Sequence, residues 1–332
     1  MKVRKVGIHM QITPTADQLQ LWMKQLVPDK DLFFLKEENV RTFYKELKEA
    51  LIVPKDEFFA HSSYTRLEYL NSYMYWTVSK EAACVIIAPP EWIGSRTRGT
   101  RQALLELQAE LSTGLLLPAA ILPSVKCIPA DAIIKAVGTA SRYFTEHFNR
   151  DTDEFAVIRA AMWHSLDEAG KEAIIRAYAQ MIDGWETEVI PETAPAHIRK
   201  YANRFPDDPG SNCLSAALFA ITEQEWMLRE WVHPQTFLNG LMSNGYSAVN
   251  EEPLPGDVLT WSDRTSTVQH ATYYLERDLC FNKSGQTFFE PWKIAKLEDI
   301  QRYWGRCTLR VYRKCNEADL ETVGATFSSI QA

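Results

Sequence analysis

The sequence has no long apolar run, no excess of positive charge and no apolar segment behind its basic start. A helix that crosses a bilayer needs about 18 or more apolar residues, and the most apolar stretch, residues 115–125, is shorter and contains Pro118 and Pro123. The 36 Lys and Arg against 43 Asp and Glu leave a net charge of −7, which a nucleic-acid backbone repels. We therefore expect a cytoplasmic protein with no signal peptide, no membrane insertion and no nucleic-acid partner.

Cysteine and metal-binding motifs are also scarce. The six cysteines are scattered and form no CxxC pair, so reduced thiols are expected rather than a zinc cluster or a disulfide framework. His147 and His164 lie in predicted helices without an HExxH motif or an acidic residue at ligand spacing. GxGxxG, Walker-type and GxSxG sequences, typical of nucleotide-binding proteins and serine hydrolases, are absent as well. The sequence therefore predicts no metal and no cofactor.

The length of 332 residues predicts about two domains, and the pattern of apolar residues changes near residue 188. Apolar residues in positions 1–187 mostly recur at helical spacing, which predicts a helical domain of unknown role without an internal repeat. Two prolines break the pattern in residues 188–198, a predicted linker. One strand is predicted over residues 83–88, and helices over residues 15–26, 38–53, 67–76, 101–117, 131–148 and 165–185.

The second predicted domain covers residues 199–320 and is followed by a tail over residues 321–332. Helices are predicted over residues 213–222 and 234–244. Beyond them, short runs rich in β-forming residues and bounded by turn residues predict strands over residues 257–261, 270–275, 286–289 and 307–313. Helices followed by antiparallel strands indicate the α+β class.

Cys213 is the most informative position of the second domain. It follows a run of Pro, Asp, Gly, Ser and Asn and begins a predicted helix, whose N-terminal dipole favours the thiolate over the thiol. A nucleophilic thiol needs a base, and His270 is the best candidate because a strand would hold its ring on a rigid edge. Asn282 follows twelve residues later, where the next strand could return beside His270 and orient its ring.

The same residues carry a resemblance to the NlpC-type cell-wall peptidases, a branch of the papain-like cysteine peptidases. As in that family, a Tyr precedes the Cys by twelve residues, here Tyr201, and a Pro-Gly-Asp turn leads into a strand before His270. The resemblance covers roughly residues 195–315, and residues 1–187 have no counterpart in it. The chain departs from the family pattern at Asn212, where Asp is usual, at Ala216, where Gly is usual, and at Arg204 and Phe205, where Gly-Gly is often found.

The resemblance implies a papain-like domain in which a small antiparallel sheet packs on the helix that carries the catalytic Cys. It also implies cysteine-dependent hydrolysis of a peptide or isopeptide amide, with cell-wall-derived peptides as one candidate source. Cys213 would attack the carbonyl carbon, His270 would shuttle the proton and Asn282 would orient His270. Tyr201, together with the Cys213 backbone N–H, would stabilise the oxyanion or hold the substrate.

Other interpretations stay open for each feature. Cys213 alone is typical of a buried core thiol, His270 of a strand histidine and Asn282 of a turn residue. The domain is alternatively a catalytically inactive binding module on the same fold, or an acyltransferase or deamidase of the same superfamily. A basic, glycine-bounded loop over residues 94–101 predicts either an anion site or a solvated loop. No pattern in the sequence indicates an oligomeric state.

Overall fold

The computed structural model describes residues 10–64, 78–111, 115–122, 128, 132–135 and 154–315. The chain divides into two compact units: the first unit is residues 15–184, and the second unit is formed by the residues before and after that stretch. Both contain helices and antiparallel strands, which confirms the predicted α+β class. The strand β1 (Met10–Gln11) belongs to the second unit, where it pairs with β8 (Glu186–Thr187).

Among the described residues, the first unit holds two three-stranded antiparallel sheets besides its helices, whereas the sequence predicted a single strand there, over residues 83–88. Numbered along the chain, its elements are α1 (Ala16–Gln25), β2 (Asp31–Leu35), α2 (Glu37–Phe43), β3 (Leu51–Pro54), α3 (Lys55–Ala60), β4 (Cys84–Ala88), α4 (Arg98–Glu110), β5 (Leu115–Pro118), β6 (Ile133–Lys135), β7 (Glu154–Ile158), α5 (Ala160–Ser165) and α6 (Glu168–Ile182). One sheet has the strand order β2-β4-β3 and the other β5-β7-β6.

The ends of the helices explain which predictions failed in this unit. The predicted start of α1 is confirmed: Thr15 and Gln18 form a capping box, in which the Thr15 hydroxyl accepts from the Gln18 backbone N–H at 3.2 Å. The predicted helices over residues 38–53 and 101–117 end early because their apolar ends form β3 and β5 instead. A short run of consecutive apolar residues fits a buried strand as well as a helix. The predicted helix over residues 67–76 and most of that over 131–148 lie outside the described residues.

The first unit repeats one arrangement of three strands and a helix, which the sequence pattern does not reveal. In both sheets the first and third strands are neighbours and the second strand lies at an edge. Beyond the third strand of each sheet lies a helix with a side-chain cap: α4, capped by Thr97, after the first sheet, and α6, capped by Asp167, after the second, where the short uncapped helix α5 comes between. Leu104 and Leu105 of α4 and Ile174 and Ile175 of α6 are buried, and each pair lies seven and eight positions beyond the cap residue of its helix. The two copies share burial and capping rather than residue identity.

The second unit is built on a six-stranded antiparallel sheet with the order β13-β12-β11-β10-β14-β9. Besides β1 and β8 its elements are α7 (Ala196–Tyr201), α8 (Cys213–Thr222), α9 (Pro234–Ser243), β9 (Tyr246–Val249), β10 (Val258–Ser262), β11 (Val268–Glu276), β12 (Leu279–Lys283), β13 (Trp292–Lys296), α10 (Leu297–Tyr303) and β14 (Thr308–Lys314). The predicted helices α8 and α9 and the strands β10, β11 and β14 are present. Residues 286–289, a predicted strand, form a turn instead.

The predicted linker over residues 188–198 packs as part of the second unit. The backbone N–H of Glu188 donates to the Ile294 carbonyl at 2.9 Å, so the chain continues along the edge of β13. Ala194 is buried, and α7 begins at Ala196. The preceding helix α6 already ends at Ile182, and Pro191 and Pro195 do not prevent this segment from covering an edge strand.

The two faces of the six-stranded sheet carry different helices. On one side, here named the α8 face, Ala271 and Tyr273 of β11 pack against α8. On the other side, named the α10 face, Trp261 and Tyr274 pack with residues of α10. From His270 to Tyr274 the side chains of β11 alternate between the two faces; a register shift opposite Trp261 and Ser262 interrupts the alternation before His270, so that Val268 and Ala271 both pack on the α8 face.

Candidate functional site

Cys213 occupies the first position of α8, as predicted. The helix is capped by Asn212, whose side-chain oxygen accepts from the Ser215 backbone N–H at 2.9 Å, while the Ser215 hydroxyl accepts from the Asn212 backbone N–H at 3.0 Å. This reciprocal capping fixes the first turn of the helix. The Cys213 side chain points into the apolar layer between α8 and the sheet and is 8% exposed.

The Cys213 thiol is buried and neutral. Its sulfur donates weakly to the Gln269 carbonyl at 4.0 Å and accepts a hydrogen bond from the Ala271 backbone. Burial raises the pKa of the thiol to about 11, and the favourable effects of the Ala271 N–H and the Lys283 ammonium do not offset it. The positive end of α8 is therefore too weak to produce a thiolate at neutral pH.

His270 lies on the α10 face of the sheet, so the prediction that it stands beside Cys213 is wrong. In the register of the sheet His270 pairs with Trp261, which packs on the α10 face. The next residue, Ala271, belongs to the cluster that surrounds Cys213 on the α8 face. A shift of one residue along a strand moves a side chain to the opposite face. The sheet itself therefore separates the imidazole from the thiol.

The structure does bring His270 and Asn282 together. His270 Nε2 lies 2.8 Å from Asn282 Oδ1, an arrangement in which Nε2 carries the ring proton. The ring is 0% exposed and stacks on Trp304, with 4.9 Å between ring centroids and 13° between planes. His270 Nδ1 has no hydrogen-bond partner among the described residues. Burial lowers the pKa of His270 to about 4, so the ring is neutral at pH 7.

Tyr201 ends α7 and packs further along α8 than the predicted oxyanion site. Its ring meets Phe219 edge-on, with 5.3 Å between centroids, and Phe219 is six residues beyond Cys213, or about 9 Å along the helix axis. The Tyr201 hydroxyl hydrogen-bonds with Lys200 and Glu225. The structure therefore does not bring Tyr201 to the thiol.

Lys283 and Glu290 are the charged residues near Cys213 that the sequence pattern did not single out. Lys283 is fully buried, and its ammonium donates to the carbonyls of Thr287 and Glu290 at 2.7 and 2.8 Å. The Glu290 carboxylate accepts from the Thr287 backbone N–H at 2.8 Å. The Lys283 charge lowers the pKa of the Cys213 thiol, whereas the Glu290 charge raises it. Nothing in the local sequence distinguishes a buried Lys from an exposed one, so only the fold identifies the pair.

Two of the three arginines of the basic loop over residues 94–101, Arg96 and Arg101, bond to backbone carbonyls of the first unit. Arg96 Nη1 donates to the Glu46 carbonyl at 2.7 Å, and its guanidinium lies 5.1 Å from the centre of the Trp92 ring. Arg101 Nη1 donates to the Gly94 carbonyl at 3.2 Å. Both arginines support the local backbone, which favours the interpretation as a structural loop over that of an anion site.

Comparisons of the chain with protein-family models, with curated proteins and with solved structures found no match. Among the described residues, no three His, Cys, Asp or Glu side chains are grouped so that they could hold a metal ion. No helix in the described part of the chain is both long enough and apolar enough to cross a membrane.

Proposed function

We propose that the second unit acts by binding, as a catalytically inactive module on a fold that resembles the NlpC-type peptidases. The observation that carries this proposal is the alternation of side chains along β11, which places His270 and Cys213 on opposite faces of the sheet. Among the described residues, no imidazole or carboxylate is hydrogen-bonded to the sulfur. A thiol without a base is a poor nucleophile at neutral pH.

The ionisation of the thiol supports the same proposal. With a pKa of about 11, the thiolate fraction of Cys213 at pH 7 is about one in ten thousand. Lys283 does not act as a base, because its ammonium is held by two backbone carbonyls and has no lone pair to accept a proton. Hydrolase, acyltransferase and deamidase chemistry all need an activated thiol, so the geometry disfavours the three together.

The proposed ligand is a peptide or another amide, and this class comes from the resemblance. Asn212 and Ala216, which depart from the family pattern, flank Cys213 at the start of α8. Both positions are buried, so these departures change the packing beneath the thiol rather than an exposed binding surface. A module that has lost its chemistry can retain the surface that recognises the amide segment.

Thiol alkylation as a function of pH tests the inactive state. The rate at which iodoacetamide modifies Cys213, read by mass spectrometry of its peptide, should keep rising up to pH 10 without a plateau. The His270→Gln variant should give the same profile, because the ring lies across the sheet. Cys307, a partly exposed thiol of the same unit, serves as the internal control. A plateau well below pH 8.5 that His270→Gln shifts upward would establish a thiolate–imidazolium pair and overturn the proposal.

Calorimetric titration with a synthetic cell-wall stem peptide tests the ligand class. We expect wild type and the Cys213→Ser variant to bind the peptide with equal affinity, and mass spectrometry of the mixture to show the peptide intact. Cleavage by wild type that is lost in Cys213→Ser would identify a cysteine hydrolase. Absence of any binding heat would contradict the peptide ligand class while leaving the alkylation result in place.

A further inference from the structure

Asp31 has a buried carboxyl group, and one of its two oxygen atoms has no hydrogen-bond partner among the described residues. It begins β2 and is 2% exposed. Asp31 Oδ1 accepts a hydrogen bond from the Ala160 backbone N–H at 2.8 Å, while Oδ2 has no partner among the described residues. An ionised carboxylate in such a position loses its hydration and gains only one hydrogen bond in return. The ionisation of Asp31 is therefore coupled to whether the surroundings of its carboxyl group stay closed to solvent.

The Asp31 carboxyl group lies where β2 of the first sheet contacts α5, the helix that follows the second sheet. This contact between β2 and α5 is here named the seam. Asp31 is in the first sheet, and Ala160 begins α5, which follows the last strand of the second sheet. A second bond also holds α5, because Trp163 Nε1 donates to the Met23 carbonyl at 3.1 Å. The Asp31–Ala160 and Met23–Trp163 hydrogen bonds thus join α5 to β2 and to α1.

Three charged or titratable groups face Asp31 from the elements packed around it. Arg159 and His164 come from the start and the end of α5, and Glu91 comes from the segment after β4. Arg159 is itself imperfectly paired, because its buried Nε has no partner among the described residues. His164 and Glu91 are exposed, so solvent screens their effect. Burial therefore has the largest effect on the pKa of the Asp31 carboxyl group.

We propose that Asp31 acts as a proton-operated latch between β2 and α5. The contact between these two elements is most stable when the Asp31 carboxyl is protonated, and ionisation of the buried group favours the separation of α5 from β2. This inference concerns the first unit and does not depend on the proposed function of the second. Burial raises the pKa of Asp31 to about 6, against an ordinary value of 3.8. A raised carboxyl pKa means that the closed state binds the proton more tightly than the open state. The seam therefore gains stability as the pH falls from above 6 toward 3.8.

The size of the effect follows from the same two values. If opening restores the ordinary pKa, the opening equilibrium should be about tenfold more favourable at pH 7.5 than at pH 5.0. Above pH 6 both states are mostly ionised, so the opening equilibrium levels off there. The transition is thus centred between the pKa values of the closed and the open state.

Hydrogen exchange of the Ala160 amide, measured by NMR on the full chain, tests the latch. After correction for the intrinsic exchange rate, the protection factor in wild type should be about tenfold higher at pH 5.0 than at pH 7.5. The Asp31→Asn variant keeps an oxygen that can accept from Ala160 but cannot ionise. Its protection factor should be the same at both pH values and at least as high as that of wild type at pH 7.5.

Two further variants separate Asp31 from its titratable neighbours. His164→Gln and Glu91→Gln should both keep the tenfold difference, because each leaves the buried carboxyl group in place. The proposal is overturned if wild type shows no difference between the two pH values. It is also overturned if Asp31→Asn keeps the difference, or if His164→Gln abolishes it. Should Asp31→Asn fail to fold, the wild-type and His164→Gln profiles still decide between the outcomes.

Discussion

Lowering the pH from 7 to 4.5 should destabilise the six-stranded sheet by about 2.5 kcal/mol through His270 alone. The ring is fully buried between Trp261 and Trp304, with 5.5 and 4.9 Å between ring centroids, and its pKa falls from 6.5 to about 4. In the unfolded chain the ring takes up a proton below pH 6.5, whereas the folded protein resists protonation until about pH 4. Each unit of difference is worth about 1.4 kcal/mol, and about two units are expressed at pH 4.5.

The sign of this effect follows from the depressed pKa. The stability contributed by neutral His270 is fully present above pH 6.5 and is lost as the pH falls through the window from 6.5 to about 4. The Asn282 hydrogen bond opposes the shift, but burial outweighs it. Because Asn282 Oδ1 already accepts from the ring, protonation creates one additional buried donor at Nδ1 and no new partner for it.

Pulsed alkylation of Cys280 during urea titration measures this loss in the second unit. Cys280 is fully buried in β12 on the same face as His270, so its modification reports unfolding of this sheet. Between pH 7 and pH 4.5 the free energy of unfolding of wild type should fall by about 2.5 kcal/mol more than that of the His270→Gln variant. His197→Gln, which replaces a partly exposed histidine of the same unit, should lose as much as wild type. Equal losses in wild type and His270→Gln would refute the reasoning.

Two further predictions concern the first unit, in which the buried Cys84 of β4 provides the same alkylation readout. Thr15→Ala removes the side-chain cap of α1 and should lower the free energy of unfolding by about 1 kcal/mol, while Thr15→Ser should restore most of it. Gln108→Leu should cost about 2 kcal/mol, because the buried Gln108 amide bonds both the N–H and the carbonyl of Phe34 on the edge strand β2. The control is Gln102→Leu, at a position of α4 outside the buried core, which should change the free energy of unfolding by less than about 0.5 kcal/mol. An equal cost at positions 102 and 108 would contradict the role of Gln108.

Local signals in the sequence were enough to place several elements. The Thr13-Pro14-Thr15 segment marks the start of α1, and the breaker residues before Cys213 mark the start of α8. Both signals act within one turn of helix, so they do not depend on the rest of the fold. The pairing of His270 with Asn282 also follows from local geometry, because a tight turn joins β11 to β12 and brings the strands side by side.

Burial inside the sheets could not be read from spacing. The apolar runs at residues 51–54 and 115–118 continue helical patterns in the sequence, yet they form strands because a sheet partner is available in each case. Likewise Asp31 and Lys283 have nothing in their neighbouring residues that marks them as buried. Their surroundings come from segments distant along the chain, such as Ala160 for Asp31.

The sequence by itself determined the α+β class, the helix that begins at Cys213 and the adjacency of His270 and Asn282. Only the tertiary structure decided that Cys213 and His270 face away from each other. The physical reason is that the pairing of β11 with β10 fixes which of its side chains face α8, and this pairing is made between segments distant from Cys213 along the chain. A single residue of register moves a side chain through the sheet, and no spacing between Cys213 and His270 along the chain encodes that choice.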